Sequence, residues 1–356
     1  MNNLNRLREA MKSRNLEALL LSDPVNVGWA TGFTGSFGFA LVTPDGGRFL
    51  TDSRYTLQAE EQVQGLSKHS FATPQTGEGF LAENVQAMAL PRLAFEGTTV
   101  AYDTFTKWQS RLVGTELYSA GSVVGPLRMI KSPGEVAKIR NACKLTDACF
   151  DHVLRLVQPG VSEWDVQLDI EFYFRRNGAE LAFAPIVVSG ERSARPHGQA
   201  SEKKLEKGDF LTMDFGAQVD GYCADLTRTV VVGEASERHR EIYGQVLKAQ
   251  LAAIGAMRPG VGAAEVDSVA RTILDEKQLA KHFGHGLGHG LGRVVHDGGR
   301  LGIGSEDRLE MGQVWTVEPG VYIEGFGGVR IEDDVVVTES GVEVLTHSPK
   351  ELLVLP

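Results

Sequence analysis

The sequence predicts an α+β protein of two domains: a small α/β domain over residues 1–126, then a larger α+β domain over 127–356. Three observations predict it. A chain of 356 residues is long for one compact core. Its first third alternates short helical and strand-like stretches, and the texture changes at LRMIKSPGEV, residues 127–136. After that point long helical patterns come first and strand patterns dominate the end, the segregation expected of α+β domains.

The elements follow in order. Residues 3–15 carry Leu4, Leu7 and Met11 on one helical face. LEALLLSD reads as a short buried strand ending at a turn. TGFTGSFGFALVTPDGGRFLTDSRY continues as strands broken by Gly and by the PDGG turn. Residues 56–125 alternate further pieces such as RLAFEG and TTVAYD. Ser132, with Pro133 and Glu135 in the next turn, is a helix-start signal, and the pattern stays helical to Leu156. A second helix is expected from Ser162 to Asn177. VQPGVSEWDV at its start is echoed by MRPGVGAAEVDSVA at 257–270, which suggests a weak internal duplication; chance and a common interhelical turn are the rival readings. KGDFLTMDFGA, TRTVVVG, GQVWTVEPGVYI and EDDVVVTESGVEVLT then read as strands.

Bulk properties narrow the function. A net charge of −10 argues against nucleic acid or an anionic membrane as the main partner. No apolar run reaches the roughly 18 residues of a membrane span, and the charged amphipathic start does not resemble a signal peptide. Three cysteines, Cys143, Cys149 and Cys223, form neither a disulfide framework nor a zinc motif, which fits a reducing cytoplasm. Neither G-x-G-x-x-G nor a Walker sequence occurs.

Chemistry concentrates in five residues: Asp214, Asp225, His289, Glu318 and Glu332. Four carboxylates and one imidazole suffice to hold two divalent ions, a pair that activates water and stabilises an oxyanion. The aspartates alone are weak grounds, since surface aspartates near turns are common. The segment Gly284–Gly292 is stronger. Every even position is glycine, and His285 and His289 stand on the odd ones. A helix would lose roughly 1 kcal/mol per glycine, whereas a strand would present both imidazoles on one face and bare backbone on the other. Glu318 sits before Pro319-Gly320 at a strand end. Arg330 and Glu332 alternate onto one face, where a structural Arg–Glu pair is the rival reading. Hard oxygen donors with one imidazole suit manganese, cobalt or zinc. Asp225 and Glu332 are expected to bridge, with Asp214 completing one ion and His289 with Glu318 the other.

At these residues the chain resembles the pita-bread metallopeptidases, which include methionine aminopeptidase, prolidase and aminopeptidase P. All five ligand positions match in order across residues 127–356. The stretch NVGWATGFTGSFGFALVTPDGGRFLTDSRYTLQAEE is similar to the creatinase-type N-domain of the proline-specific members. The resemblance implies a creatinase-like N-terminal domain, a pseudo-twofold pita-bread catalytic domain and a homodimer. His197 resembles the family's substrate-facing histidine, and His296 the one that contacts the scissile peptide. His285, Tyr322 and Arg330 match further pocket positions, and Glu318 resembles the proton-shuttling carboxylate. The family's frequent His-Glu is His296-Asp297 here.

The implied reaction is cleavage of the bond before proline at a peptide N-terminus. Glu318, His296, His197 and Arg330 act on the reaction, and His197, His285 and Tyr322 help form the proline slot. The small, uncharged GFTGSFG loop favours an Xaa-Pro aminopeptidase of the aminopeptidase P type over an Xaa-Pro dipeptidase (prolidase), although Arg48 and Arg54 offer a dipeptidase its carboxylate anchor. A metal-free pita-bread protein acting as a binding module is the distant alternative.

Overall fold

The computed structural model describes residues 2–356. The chain divides into two compact units between Arg128 and Met129. No helix among the described residues is long and apolar enough to cross a membrane.

The first unit is built on a six-stranded mixed sheet, ordered Ser67–Phe71, Gly46–Asp52, Phe39–Thr43, Leu19–Leu21, Arg92–Phe95, Glu116–Ser119. Both faces of this sheet are covered, so its central strands are apolar at successive positions. Leu19 and Leu21 join one core cluster, with Phe49 and Trp29, while Leu20 joins the other, with Leu50 and Trp108. The opening helix, Asn3–Ser13, buries Leu4, Leu7 and Met11 as its periodicity requires. It stops two residues short of the expected end because Asn15 takes a left-handed conformation, φ 54°. Pro24–Thr31 is a helix that periodicity does not announce. Asp23 caps it, Pro24 fills the first turn and Gly32 ends it in the left-handed region.

The second unit opens with helix Pro133–Val153, started by a reciprocal capping box between Ser132 and Glu135. Helix Glu163–Arg176 follows with its own box, Ser162 and Asp165. Helices Glu237–Ala256 and Ala263–Asp275 repeat the arrangement. The duplication suggested by the PGV turns has structural counterparts. Gly160 N–H donates to Leu205 O and Gly260 N–H to Leu309 O, while Leu205 N–H returns to Val161 O and Leu309 N–H to Val261 O. Isolated bridges Ser162–Lys204 and Gly262–Arg308 complete the match.

Strands fill the space between the helix pairs. Phe210–Phe215 lies antiparallel to both Leu226–Val232 and Ile186–Ser189, with Asp214 opposite Thr227 and Ile186. Val314–Val317 pairs with Asp333–Val337, and Gly320–Ile323 with Gly327–Arg330. The two aspartates do not face each other across one simple hairpin. Asp214 lies within a strand, Asp225 just before the partner strand, and the residues between them form a smaller ladder of Ala217–Val219 with Tyr222–Cys223.

Candidate metal centre

Asp214, Asp225, His289, Glu318 and Glu332 come from five segments and line one cavity of about 630 Å³. One ligand atom each from Asp225, His289 and Glu332 lies within 4.8 Å of the others. His289 Nε2 is 3.6 Å from Asp225 Oδ2 and 3.5 Å from Glu318 Oε1. Its Nδ1 is 3.2 Å from Gly290 O. A proton on Nδ1 leaves the Nε2 lone pair facing the carboxylates. Burial, with a contribution from His296, lowers the His289 pKa to about 4, so the ring is neutral at pH 7.

The glycine segment is strand only at Gly288–His289, paired with Arg300–Leu301. The predicted bare face is there for close approach. A methyl group at Gly288 would collide with the carbonyl of Thr316, and one at Gly290 with the carbonyl of Gly298. This close approach brings the His289 segment against the strand Val314–Val317, which supplies Thr316 and is followed directly by Glu318. The Thr316 hydroxyl accepts from His289 N–H at 3.0 Å and donates to Glu318 Oε1 at 3.3 Å.

Four carboxylates crowd the cavity, and one buried guanidinium, Arg330, stands against them. Burial and neighbouring carboxylates push Asp225 and Glu332 well above the usual range. Burial raises Glu318 to about 8, Arg330 opposing and Asp214 adding to the rise. Asp214 Oδ1 and Asp225 Oδ1 are buried without a hydrogen-bond partner. Orphaned anionic oxygens are costly unless a cation or proton meets them. A pair of divalent ions fits this donor set: it supplies the missing positive charge and takes up the orphaned oxygens.

The structure adds residues that the sequence did not single out. Thr227 donates to Glu332 Oε2 at 2.5 Å and accepts from Arg330 Nε at 3.0 Å. It stands two residues after Asp225, so strand alternation was the available signal. Buried Arg228 bonds the backbone carbonyl of Glu332 and, at 2.8 Å, Asp333. The variant Thr227→Val is expected to weaken metal binding about 10- to 100-fold, the usual effect of losing a group that orients a ligand. Titration of metal-stripped protein with Mn²⁺ checks this, and wild-type affinity would refute it.

His197, His285 and His296 line the same cavity, the first and last with exposed side chains. The His296 ring meets His289 edge-on, centroids 4.3 Å apart. Tyr322 and Arg330 share one hydrogen-bond network. Tyr322 does not line this cavity. Its hydroxyl bonds Arg330 Nη1 at 2.8 Å and His285 Nε2 at 2.9 Å, so it supports the pocket from behind. Arg330 pairs with Asp214 at 2.6 Å rather than with Glu332. Its other nitrogens bond Thr227, Tyr322 and the carbonyl of Pro196, so it also orients the groups around the donors.

The two-unit fold and the paired-metal donor set define a pita-bread metallohydrolase preceded by a creatinase-type domain. Residues 137–339 match Metallopeptidase family M24, and residues 3–130 match the Creatinase/Prolidase N-terminal domain. The chain is 36% identical to an Xaa-Pro dipeptidase of Pyrococcus furiosus, over 98% of this chain and 99% of the relative. A solved Xaa-Pro dipeptidase from Bacillus anthracis superposes with a TM-score of 0.95 at 40% identity, covering 99% of each chain. An X-Pro aminopeptidase from Thermotoga maritima gives 0.92 at 34%, covering 98% of this chain and all of the other. The protein belongs to metallopeptidase family M24, whose centre holds two divalent metal ions. Within that family it is a proline-specific peptidase of the Xaa-Pro dipeptidase and aminopeptidase group.

Proposed function

We propose that the protein is an Xaa-Pro dipeptidase that splits dipeptides with proline in the second position. Arg300 carries this reading. Besides buried Arg330 it is the only lysine or arginine among the described residues that lines the metal cavity, and it is exposed. Its backbone N–H donates to Asp307 at 2.9 Å and its Nη2 to Ile303 O at 2.6 Å, bonds that hold both the backbone and the guanidinium in place. A fixed guanidinium suits the free carboxylate of a C-terminal proline. Arg48 and Arg54 are engaged inside the first unit, with Asn84 at 2.8 Å and Asp52 at 2.8 Å. The dipeptidase names of two of the relatives support the same reading. The order of preference drawn from the sequence, aminopeptidase before dipeptidase, is therefore reversed.

Asp214, Asp225, His289, Glu318 and Glu332 would hold the two ions, and their mostly hard donors favour Mn²⁺. When bound, the ions acidify the attacking water and neutralise charge on the oxyanion. Glu318 takes a proton from that water as its oxygen bonds to the carbonyl carbon. The carboxyl then delivers the proton to the proline nitrogen as the C–N bond breaks. His296 donates to the oxyanion. His197 and His285, with Phe183 and Ile186 on the cavity wall, enclose the pyrrolidine ring.

With Mn²⁺, kcat/KM for Xaa-Pro should exceed that for Xaa-Pro-Xaa by at least about tenfold, one lost carboxylate contact being worth roughly 1.5–3 kcal/mol. A preference for the tripeptide would instead make the protein an aminopeptidase. Arg300→Ala is expected to raise KM for the dipeptide about 10- to 100-fold while leaving the Xaa-Pro amide unaffected. Equal effects on both substrates would remove Arg300 from recognition.

A further inference from the structure

We propose that Glu163 is a positioning residue for His197, clasping the two ends of the loop 189–201 that carries it. The proposal rests on the reading above that His197 faces the substrate. No hydrogen bond holds the exposed His197 ring among the described residues, so its place depends on its backbone. That backbone spans from the strand end at Ser189 to Ser201, and Pro196, His197, Gly198 and Gln199 all line the metal cavity.

Glu163 lies fully buried in the first turn of helix Glu163–Arg176. Its Oε1 accepts from Ser189 N–H at 2.7 Å and from the Ser189 hydroxyl at 2.9 Å. Its Oε2 accepts from Ser201 N–H at 3.0 Å and the Ser201 hydroxyl at 2.7 Å. Arg192 Nε reaches both oxygens, and Arg192 Nη2 crosses the loop to Gln199 O at 2.6 Å. One carboxylate thus ties entrance, middle and exit. Such bonds to a buried charge are stronger and more geometrically exacting than neutral ones.

The internal duplication supplies a control. One hundred residues on, Ala263 occupies the equivalent first-turn site and is also fully buried. Its N–H donates to Asp307 O at 2.8 Å as that of Glu163 does to Lys203 O at 3.0 Å. The helix start therefore forms without a carboxylate at that site, and the second half instead buries Asp267 one turn further along, where it pairs with Arg271 and accepts from Leu287 N–H.

The test uses Glu163→Gln and Arg192→Met in the full-length, Mn²⁺-loaded enzyme. Amide hydrogen exchange at Ser189 and Ser201 is expected to speed up about tenfold or more in both variants, with two metals per chain retained. For the Xaa-Pro dipeptide, kcat/KM should fall about 10- to 100-fold, the scale of a misplaced active-site group. Added to His197→Ala, either substitution should cost less than about threefold more, because both losses act through one imidazole. Unchanged exchange at Ser189 and Ser201, or losses that multiply in full with His197→Ala, would overturn the proposal. Should Glu163→Gln fail to fold, Arg192→Met decides alone, since it leaves the helix and the carboxylate in place. Exchange needs no substrate, so a wild-type enzyme inactive on Xaa-Pro would count only against the substrate assignment.

Discussion

Glu318→Gln is expected to lower kcat on Xaa-Pro dipeptides about 10³- to 10⁴-fold, while the variant folds with a far-ultraviolet spectrum like that of the wild type. General-base transfer alone contributes about 10²- to 10⁴-fold, and the same carboxyl is one of five donors for the ions. The proposed mechanism gives Glu318 both tasks. It is 3.5 Å from the neutral imidazole of His289, and 4.0 Å from that of His285. Without metals, burial raises its pKa to about 8, so bound cations are needed to keep it ionised as a base near neutral pH. Gln keeps the shape and the Thr316 contact but cannot take the proton. Pre-steady-state kinetics with metal content measured alongside would separate the two losses. A variant that loads two ions and turns over at the wild-type rate would take Glu318 out of the chemistry.

What could be read from the sequence follows donor chemistry more than geometry. Asp214, Asp225, His289, Glu318 and Glu332 stand out because a metal pair needs those residue types, and because glycine at alternate positions has little other purpose. Their convergence depends on register, such as Asp214 opposite Thr227, which no local pattern fixes. The place of Tyr322 depends on register in the same way. Its type and position suit a pocket wall, but the pairing of Gly320–Ile323 with Gly327–Arg330 turns its hydroxyl toward Arg330 and His285. Glu163 was silent altogether. An acid in the first turn of a helix reads as ordinary complement to the helix dipole, and only the folded loop brings Ser189 and Ser201 around it. Arg300 was silent because an arginine in a glycine-rich loop reads as a solvated surface charge. The helix caps, by contrast, were legible because a cap is a local hydrogen bond: Ser132 with Glu135 performs in the structure what the spacing announces.

Removal of the metals is expected to abolish peptidase activity and to make stability fall as pH rises. The sign follows from the raised carboxyl pKa values. Glu318 titrates near 8 in the folded, metal-free protein against 4.5 for the free side chain, and Asp225 and Glu332 shift the same way. Between those values the folded state binds protons that the unfolded state has released. Metal-free stability is therefore greatest below about pH 4.5, as far as these groups decide it, and declines through pH 8. Divalent ions replace those protons, and their affinity rises with pH as the ligands deprotonate. At free metal 100-fold above Kd each ion adds about 2.7 kcal/mol, and about 2–4 °C in Tm accompanies each kcal/mol for a unit of this size. Thermal unfolding with Mn²⁺ and with chelator, from pH 5 to pH 8, should give curves that diverge toward alkaline pH by roughly 10 °C or more. Curves that run parallel across that range would mean that the buried carboxylates do not hold the ions. Divergence restored by Mn²⁺ in wild type but much reduced in Asp225→Asn, which removes one anionic donor from the cavity, would tie the effect to this cavity and not to metal bound elsewhere on the chain.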